Sequence, residues 1–213
     1  MNVVPLRFEI AEGGRALSCD LDDRQLDALT GFLLLLQRWN RVYNLTAVRN
    51  PADMVARHVL DCLAVVPYLR PPRIVDVGSG AGLPGIPLAI ACPNLEVVLL
   101  DCNAKRTRFL NQAKADLALG NVSVARSRVE SYGSDEGFST VISRAFASAG
   151  TFAGLAGHLL APGGCLLAMQ GRRGREHSDA LPAGYRVETT YRISVPGLTA
   201  QRHLLQLSQN ERH

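Results

Sequence analysis

A chain of 213 residues with 47% hydrophobic and 20% charged side chains has room for one well-buried domain with an appendage and falls short of two full-sized domains. The longest apolar run near the N-terminus, Phe32 to Leu36, is far below a membrane span, and Met1 to Ile10 has no signal-peptide core, so a cytoplasmic protein with no membrane partner is expected. The formal net charge of +4 permits a nucleic-acid partner without requiring one.

The positive excess sits in the second half, since the first hundred residues carry 9 basic and 10 acidic side chains and the remainder 14 and 9. Lys105 and Lys114 are the only lysines, so a genomic bias towards arginine explains the cations as well as selection for phosphate contacts does. Five cysteines, Cys19, Cys62, Cys92, Cys102 and Cys165, are odd in number and never in C-x-x-C spacing. They read as reduced, small apolar residues, with neither a metal site nor a disulfide framework.

In chain order, Leu26, Leu29, Leu33, Leu36 and Trp39 recur at helical spacing and predict an amphipathic helix over Asp22 to Tyr43. Asn50-Pro51-Ala52-Asp53 supplies a helix cap, a first-turn proline and an acid, and the stripe Val55, Val59, Cys62, Leu63, Val66 carries that helix to Pro67. Residues 1–70 therefore read as a helical N-terminal unit. From 71 to 213 the pattern alternates. Strands are predicted at Arg73 to Val77, Glu96 to Asp101, Val122 to Ala125, Thr140 to Ser143, Cys165 to Met169, Arg186 to Ser194 and His203 to Leu207. Helices fit at Pro84 to Ala91, Ala104 to Leu119 and Thr151 to Leu160. That order predicts an α/β, Rossmann-like doubly wound sheet of seven strands, mostly parallel, its last two strands pairing antiparallel at one edge.

The first strand runs into VDVGSGAGLPGIP, Val75 to Pro87, which spells G-x-G-x-x-G at Gly80, Gly82 and Gly85 and D-x-G-x-G-x-G from Asp76 to Gly82. The first spelling fits a dinucleotide, the second S-adenosylmethionine (SAM). Both use glycines for close approach of the backbone, and an acid after the second strand, Asp101, for ribose hydroxyls. Charge separates them. A pyrophosphate is anionic and rests on a helix N-terminus, where Asp76 is a poor neighbour, whereas the ammonium and sulfonium of SAM favour a carboxylate. Pro84 and Pro87 also remove backbone donors that a pyrophosphate would use. The alternative role for Asp76 is a structural cap of the loop. Ala161-Pro162-Gly163-Gly164 is read as a turn before the fifth strand.

Arg38-Trp39-Asn40-Arg41-Val42-Tyr43-Asn44-Leu45-Thr46, Arg57-His58-Val59-Leu60-Asp61, the loop Asp76 to Pro87, Ser127-Arg128-Val129-Glu130 and Val141-Ile142-Ser143-Arg144-Ala145-Phe146-Ala147 resemble, in order, the signatures of the RsmG (GidB) family. The resemblance runs from about residue 20 to about residue 210. It implies a class I SAM-dependent methyltransferase that modifies N7 of one guanine in bacterial 16S ribosomal RNA, within the small subunit or an assembly intermediate, as a monomer. It further implies cofactor contacts at Gly78, Leu83, Val129, Glu130 and Arg144, beside Asp76, Gly80, Gly82 and Asp101 from the loop itself. The chain departs from the family at Gln170-Gly171, where many relatives have Lys-Gly; here Arg172, Arg173 and Arg175 follow instead.

Guanine N7 carries a lone pair and no proton, so its methylation needs positioning and no general base. The segment Ser143-Arg144-Ala145 lacks the N/D-P-P-Y/F of exocyclic-amine methyltransferases, and no cysteine follows a proline as carbon-5 methylation commonly uses. Arg144, at the end of the fourth strand, is the candidate positioning residue; the bland alternative is an ion pair with Asp76 or Glu130. His58 and Asp61, three apart on one helix, read as a helix contact or a substrate-positioning pair, and Trp39 as core. RNA contacts are expected from Lys105, Arg106 and Arg108, with Arg126, Arg128, Arg172, Arg173, Arg175 and Arg202 on strand ends. Three other readings stay open at this stage: a small-molecule methyltransferase on the same fold, a nucleotide-dependent oxidoreductase, and a non-catalytic RNA-binding assembly factor.

Overall fold

A computed structural model describes residues 3–144, 148–171 and 181–210; Arg172, Arg173, Arg175 and the motif residues Ala145 to Ala147 lie outside the described residues. The chain opens with a helix the sequence pattern did not suggest, α1 (Val3–Ala16). Its apolar rhythm, Leu6 then Ile10, is interrupted where the next turn should continue it, by Gly13 and Gly14. Glycine disfavours a helix interior, but packing requires it here: a Cβ on Gly13 would overlap the Leu60 side chain. The stronger signal of α2 (Asp23–Tyr43) is closed at its start by a capping box, Gln25 N donating to Asp22 Oδ1 at 2.8 Å and Asp22 N to Gln25 Oε1 at 2.9 Å. It stops at Asn44, whose φ of 49° is left-handed.

The helix expected from Asn50 to Pro67 is one unbroken helical run that ends earlier, at Leu63, and contains a π segment: α3 (Pro51–Met54), a π-helix (Val55–Leu60) and α4 (Asp61–Leu63). A π-turn adds one residue to the helical circuit and is frequent at functional sites. It lets Val55, His58, Val59 and Leu60 all be buried, more than one face of a regular helix accommodates.

Seven strands follow: β1 (Arg73–Val77), β2 (Glu96–Leu100), β3 (Val122–Ala125), β4 (Phe138–Arg144), β5 (Leu160–Gly171), β6 (Tyr185–Ile193) and β7 (Arg202–Gln209). Their order is β3-β2-β1-β4-β5-β7-β6, parallel through the first five and antiparallel where β7 meets β5 and β6. The expected doubly wound sheet with an antiparallel edge is therefore present. Central strands are apolar on both faces, as burial under helices on both sides demands. Ile74, Leu99, Ile142 and Leu167 share one core with α1, α2, α5 (Gly85–Ala91) and α6 (Ala104–Asp116). Val75, Val98, Val141 and Leu166 share the other with α7 (Ala149–Ala156).

Ala161-Pro162-Gly163-Gly164 is not a turn before β5 but an irregular stretch within it. Phe138 pairs with Leu160 and Thr140 with Cys165, so β5 carries the surplus residues as a bulge.

Two topological facts position a site. The strand order reverses direction between β1 and β4, which opens a crevice at the carboxyl ends of the parallel strands. Because β7 is antiparallel, its first residues sit beside the last of β5, Gly171 opposite Arg202 and Gln170 opposite His203. The start of β7 thus joins the same edge.

Candidate functional site

Along that edge the strand ends carry, in spatial order, Val129 and Glu130 after β3, Asp101 after β2, the glycine loop after β1 and Arg144 at the end of β4. The residues expected from the sequence to bind a cofactor are brought to four adjacent strand ends.

The glycines of the loop do two different jobs. Gly78, Gly80 and Gly82 all have positive φ, at 71°, 57° and 77°. A Cβ on Gly78 would meet nothing within 4 Å, and one on Gly80 only the Gly78 carbonyl at 3.7 Å. Their backbone therefore borders open space. Gly82 and Gly85 face inward, where a Cβ would overlap Ile86 and Leu99 respectively. Leu83 is 3% exposed, its side chain in the main core, so only its backbone is at the loop.

Both acids brace this loop. Asp101 Oδ2 accepts from Gly80 N at 2.9 Å and its Oδ1 from Asn103 N at 2.8 Å. Arg106 Nη1 stands 3.4 Å from the same Oδ2. Asp76 is fully buried beneath the loop, its Oδ2 accepting from Gly85 N at 2.9 Å at the start of α5 and its Oδ1 without a partner among the described residues. Burial raises the Asp76 carboxyl to about 7, against the Gly85 hydrogen bond, the Ser79 hydroxyl and the Arg144 charge, which lower it. It acts from below, as a brace whose ionisation is costly until more positive charge arrives.

Arg144 has neither of the partners the sequence suggested. Its Nη1 donates to the Arg57 carbonyl at 3.0 Å and stands 3.5 Å from Asp61 Oδ2. Asp61 Oδ1 in turn accepts from Arg202 Nε at 2.9 Å. One carboxylate, its side chain only 5% exposed, thus links the π-helix region to the ends of β4 and β7. Spacing along the chain pairs Asp61 with His58, three residues away; its true partners are far along the chain, and no local pattern marks them.

His58 is buried, with Nε2 bonded to Thr46 Oγ1 at 2.9 Å and Nδ1 without a partner among the described residues. Burial first, then the Arg144 and Arg57 charges, lower it from 6.5 to about 4. Thr46 is itself held in place: its N donates to Asn40 Oδ1 at 2.9 Å, and its Oγ1 accepts from Val48 N at 3.2 Å. Trp39 stacks on Tyr43 and meets Phe109 edge-on, a packing position.

A pocket of about 220 Å³ continues the line of strand ends past Arg144. Val65, Met169, Ile193 and Leu204 give it an apolar lining, and Asp61, Arg144, Gln170, Arg202 and His203 a polar one. Of the basic residues expected to meet RNA, Arg106 and Arg202 are ion-paired to Asp101 and Asp61. Lys105, Arg108, Arg126 and Arg128 are exposed, and have no ion pair among the described residues. No cluster of potential metal ligands occurs among the described residues.

Comparison with known proteins adds to this geometry. Residues 25–205 match the family model "GidB: rRNA small subunit methyltransferase G". A ribosomal RNA small subunit methyltransferase G from Nitrosococcus oceani is 50% identical over 198 residues, 93% of this chain and 92% of that protein. Its counterpart from Ralstonia nicotianae is 47% identical, with 95% of each chain covered. Among solved structures, a SAM-dependent methyltransferase from Aquifex aeolicus superposes with a TM-score of 0.57 at 15% identity, covering 77% of this chain and 96% of that one. The glycopeptide N-methyltransferase MtfA complexed with SAM gives 0.56 at 12% identity, covering 72% and 88%. These two are likenesses of fold.

Proposed function

The chain belongs to the rRNA small subunit methyltransferase G (GidB) family, and from that premise we propose that it transfers a methyl group from SAM to N7 of a guanine in 16S ribosomal RNA, presented in the small subunit or an assembly intermediate. The observation that carries this reading is the tethered Arg144 at the β1/β4 switch point, directly beside a glycine loop whose Gly78 and Gly80 border open space. Asp101, Gly78, Gly80, Val129 and Glu130 would hold the nucleoside along the β1 to β3 ends. The loop suits SAM: its backbone is open, Asp101 stands beside it as an acceptor, and the Oδ1 of Asp76 that lies under it without a partner among the described residues would be drawn towards its charged form by a cation above. When bound, SAM supplies a methyl on a sulfonium sulfur, an electrophile that a lone pair takes in line with no proton to remove. The protein's own task is alignment, to which Arg144 contributes donors fixed in direction by Arg57 and Asp61.

The reading is tested by incubating the protein with methyl-labelled SAM and small subunits from a strain lacking the gene, then identifying the modified nucleoside by mass spectrometry. 7-Methylguanosine at one position is expected; label in another nucleoside, or none, rejects it. Asp101→Ala is expected to weaken SAM about tenfold by calorimetry, near the lower end of ~1.5 to 3 kcal/mol for a hydrogen bond to a charged group, because Asp101 already shares its charge with Arg106. An unchanged affinity removes Asp101 from the ribose site.

RNA affinity should be electrostatic and spread over exposed cations. Replacing Lys105 and Arg128 together should flatten the dependence of log affinity on log salt by about 0.7 to 0.9 for each phosphate no longer neutralised. If filter binding across a salt series gives the wild-type slope, these two cations are a solvated surface.

A further inference from the structure

The pocket beyond Arg144 has a polar side whose open valences differ from group to group. Arg202 Nε satisfies Asp61 Oδ1 at 2.9 Å, but Arg144 Nη1 is 3.5 Å from Oδ2 and gives its hydrogen bond to the Arg57 carbonyl instead. Asp61 Oδ2 therefore keeps acceptor capacity, and Arg144 keeps the donors on Nε and Nη2. Val65, Met169, Ile193 and Leu204 line the same pocket and offer apolar contact to a ring.

The order of these groups along the sheet is fixed by topology. From β7 through β5 and β4 to β1 come Arg202, then Arg144, then the glycine loop, with Asp61 reaching in from α4 between the two arginines. Around the edge of guanine, the N2 amino and N1–H donors are followed by the O6 acceptor and then by N7. The two sequences of groups run in register: acceptor against donors, donor against acceptor, and the loop against N7. Adenine would set its N6 amino group against the Arg144 donors and its N1 lone pair against a carboxylate.

We propose that this pocket receives the target guanine, with Asp61 accepting from N1–H and N2–H and Arg144 donating to O6, so that N7 is left facing the glycine loop. Asp61 is then a specificity-determining residue as well as the anchor of two arginines. The inference rests on the reading of the substrate as a guanine in ribosomal RNA.

The test is single-turnover methyl transfer to small-subunit RNA bearing either guanosine or inosine at the modified position. Inosine lacks only the N2 amino group and keeps N7 and O6. The wild type is expected to be at least about tenfold slower on inosine, the loss of a hydrogen bond to a charged acceptor. Asp61→Asn should be slow on guanosine and should lose most of the preference, while binding SAM calorimetrically as the wild type does. A wild type that treats both bases equally overturns the proposal, and this holds even if the variant fails to fold. A folded Asp61→Asn that keeps the wild-type preference also overturns it, leaving Asp61 as an arginine anchor only. A wild type that binds SAM but methylates neither RNA rejects the substrate reading itself, a distinct result.

Discussion

Arg144→Ala is expected to lower single-turnover methylation on saturating RNA by on the order of a hundredfold, the penalty for losing a near-attack alignment, with little change in thermal stability. The side chain is 23% exposed and held by the Arg57 carbonyl and Asp61. Its removal frees one carbonyl near solvent and leaves Asp61 still paired with Arg202 at 2.9 Å, so no buried charge is orphaned. Arg144→Lys should recover little. A lysine ammonium can replace the charge beside Asp61, but it cannot hold the Arg57 carbonyl in one direction and present fixed donors to a base in another, as a planar guanidinium does. A rate within about threefold of wild type for the alanine variant, or near-complete rescue by lysine, would show that only charge or packing matters there.

How much of this was legible beforehand depended on range along the chain. The β1 strand, its glycine loop and the acid after β2 all fall within Arg73 to Asp101, and their chemistry follows from spacing alone. Arg144 could be placed at the end of a strand by the same logic. Its partners could not, because Asp61 and Arg202 reach it from a helix before the sheet and from a strand at its far edge. The π-helix was illegible for a related reason: its apolar stripe satisfies a helical period well enough, and only tertiary burial of His58 and Leu60 selects the extra residue per turn. In α1 the signal was erased by Gly13, whose missing side chain is the condition for contact with Leu60. In each case a local rule yields where distant residues pack.

His58 gives the sharpest separation of structure from chemistry. Its imidazole is held down to about 4 from 6.5, first by burial and then by Arg144 and Arg57. The folded protein therefore refuses a proton that the unfolded chain accepts, and His58 withdraws stability as pH falls from 6.5 to 4, by up to about 3 kcal/mol at ~1.36 kcal/mol per pH unit. Asp76, raised from 3.8 to about 7, has the opposite slope: the unfolded chain ionises first, so stability is withdrawn as pH rises across nearly the same window. The two contributions have opposite signs and oppose one another in the wild type. They separate in variants. His58→Gln keeps a neutral partner for Thr46 and should leave a chain that loses stability from pH 4 to 7, whereas Asp76→Asn should leave one that gains it, both read by denaturant unfolding at a series of pH values. Since His58 is neutral and bonded to Thr46 at working pH, it should contribute no titration to the methylation rate between pH 6 and 8, so that His58→Gln leaves the wild-type pH profile unchanged there. If that rate instead falls with protonation of a group near 6.5 and His58→Gln abolishes the fall, His58 acts as a base, and alignment by Arg144 is not the whole of the chemistry.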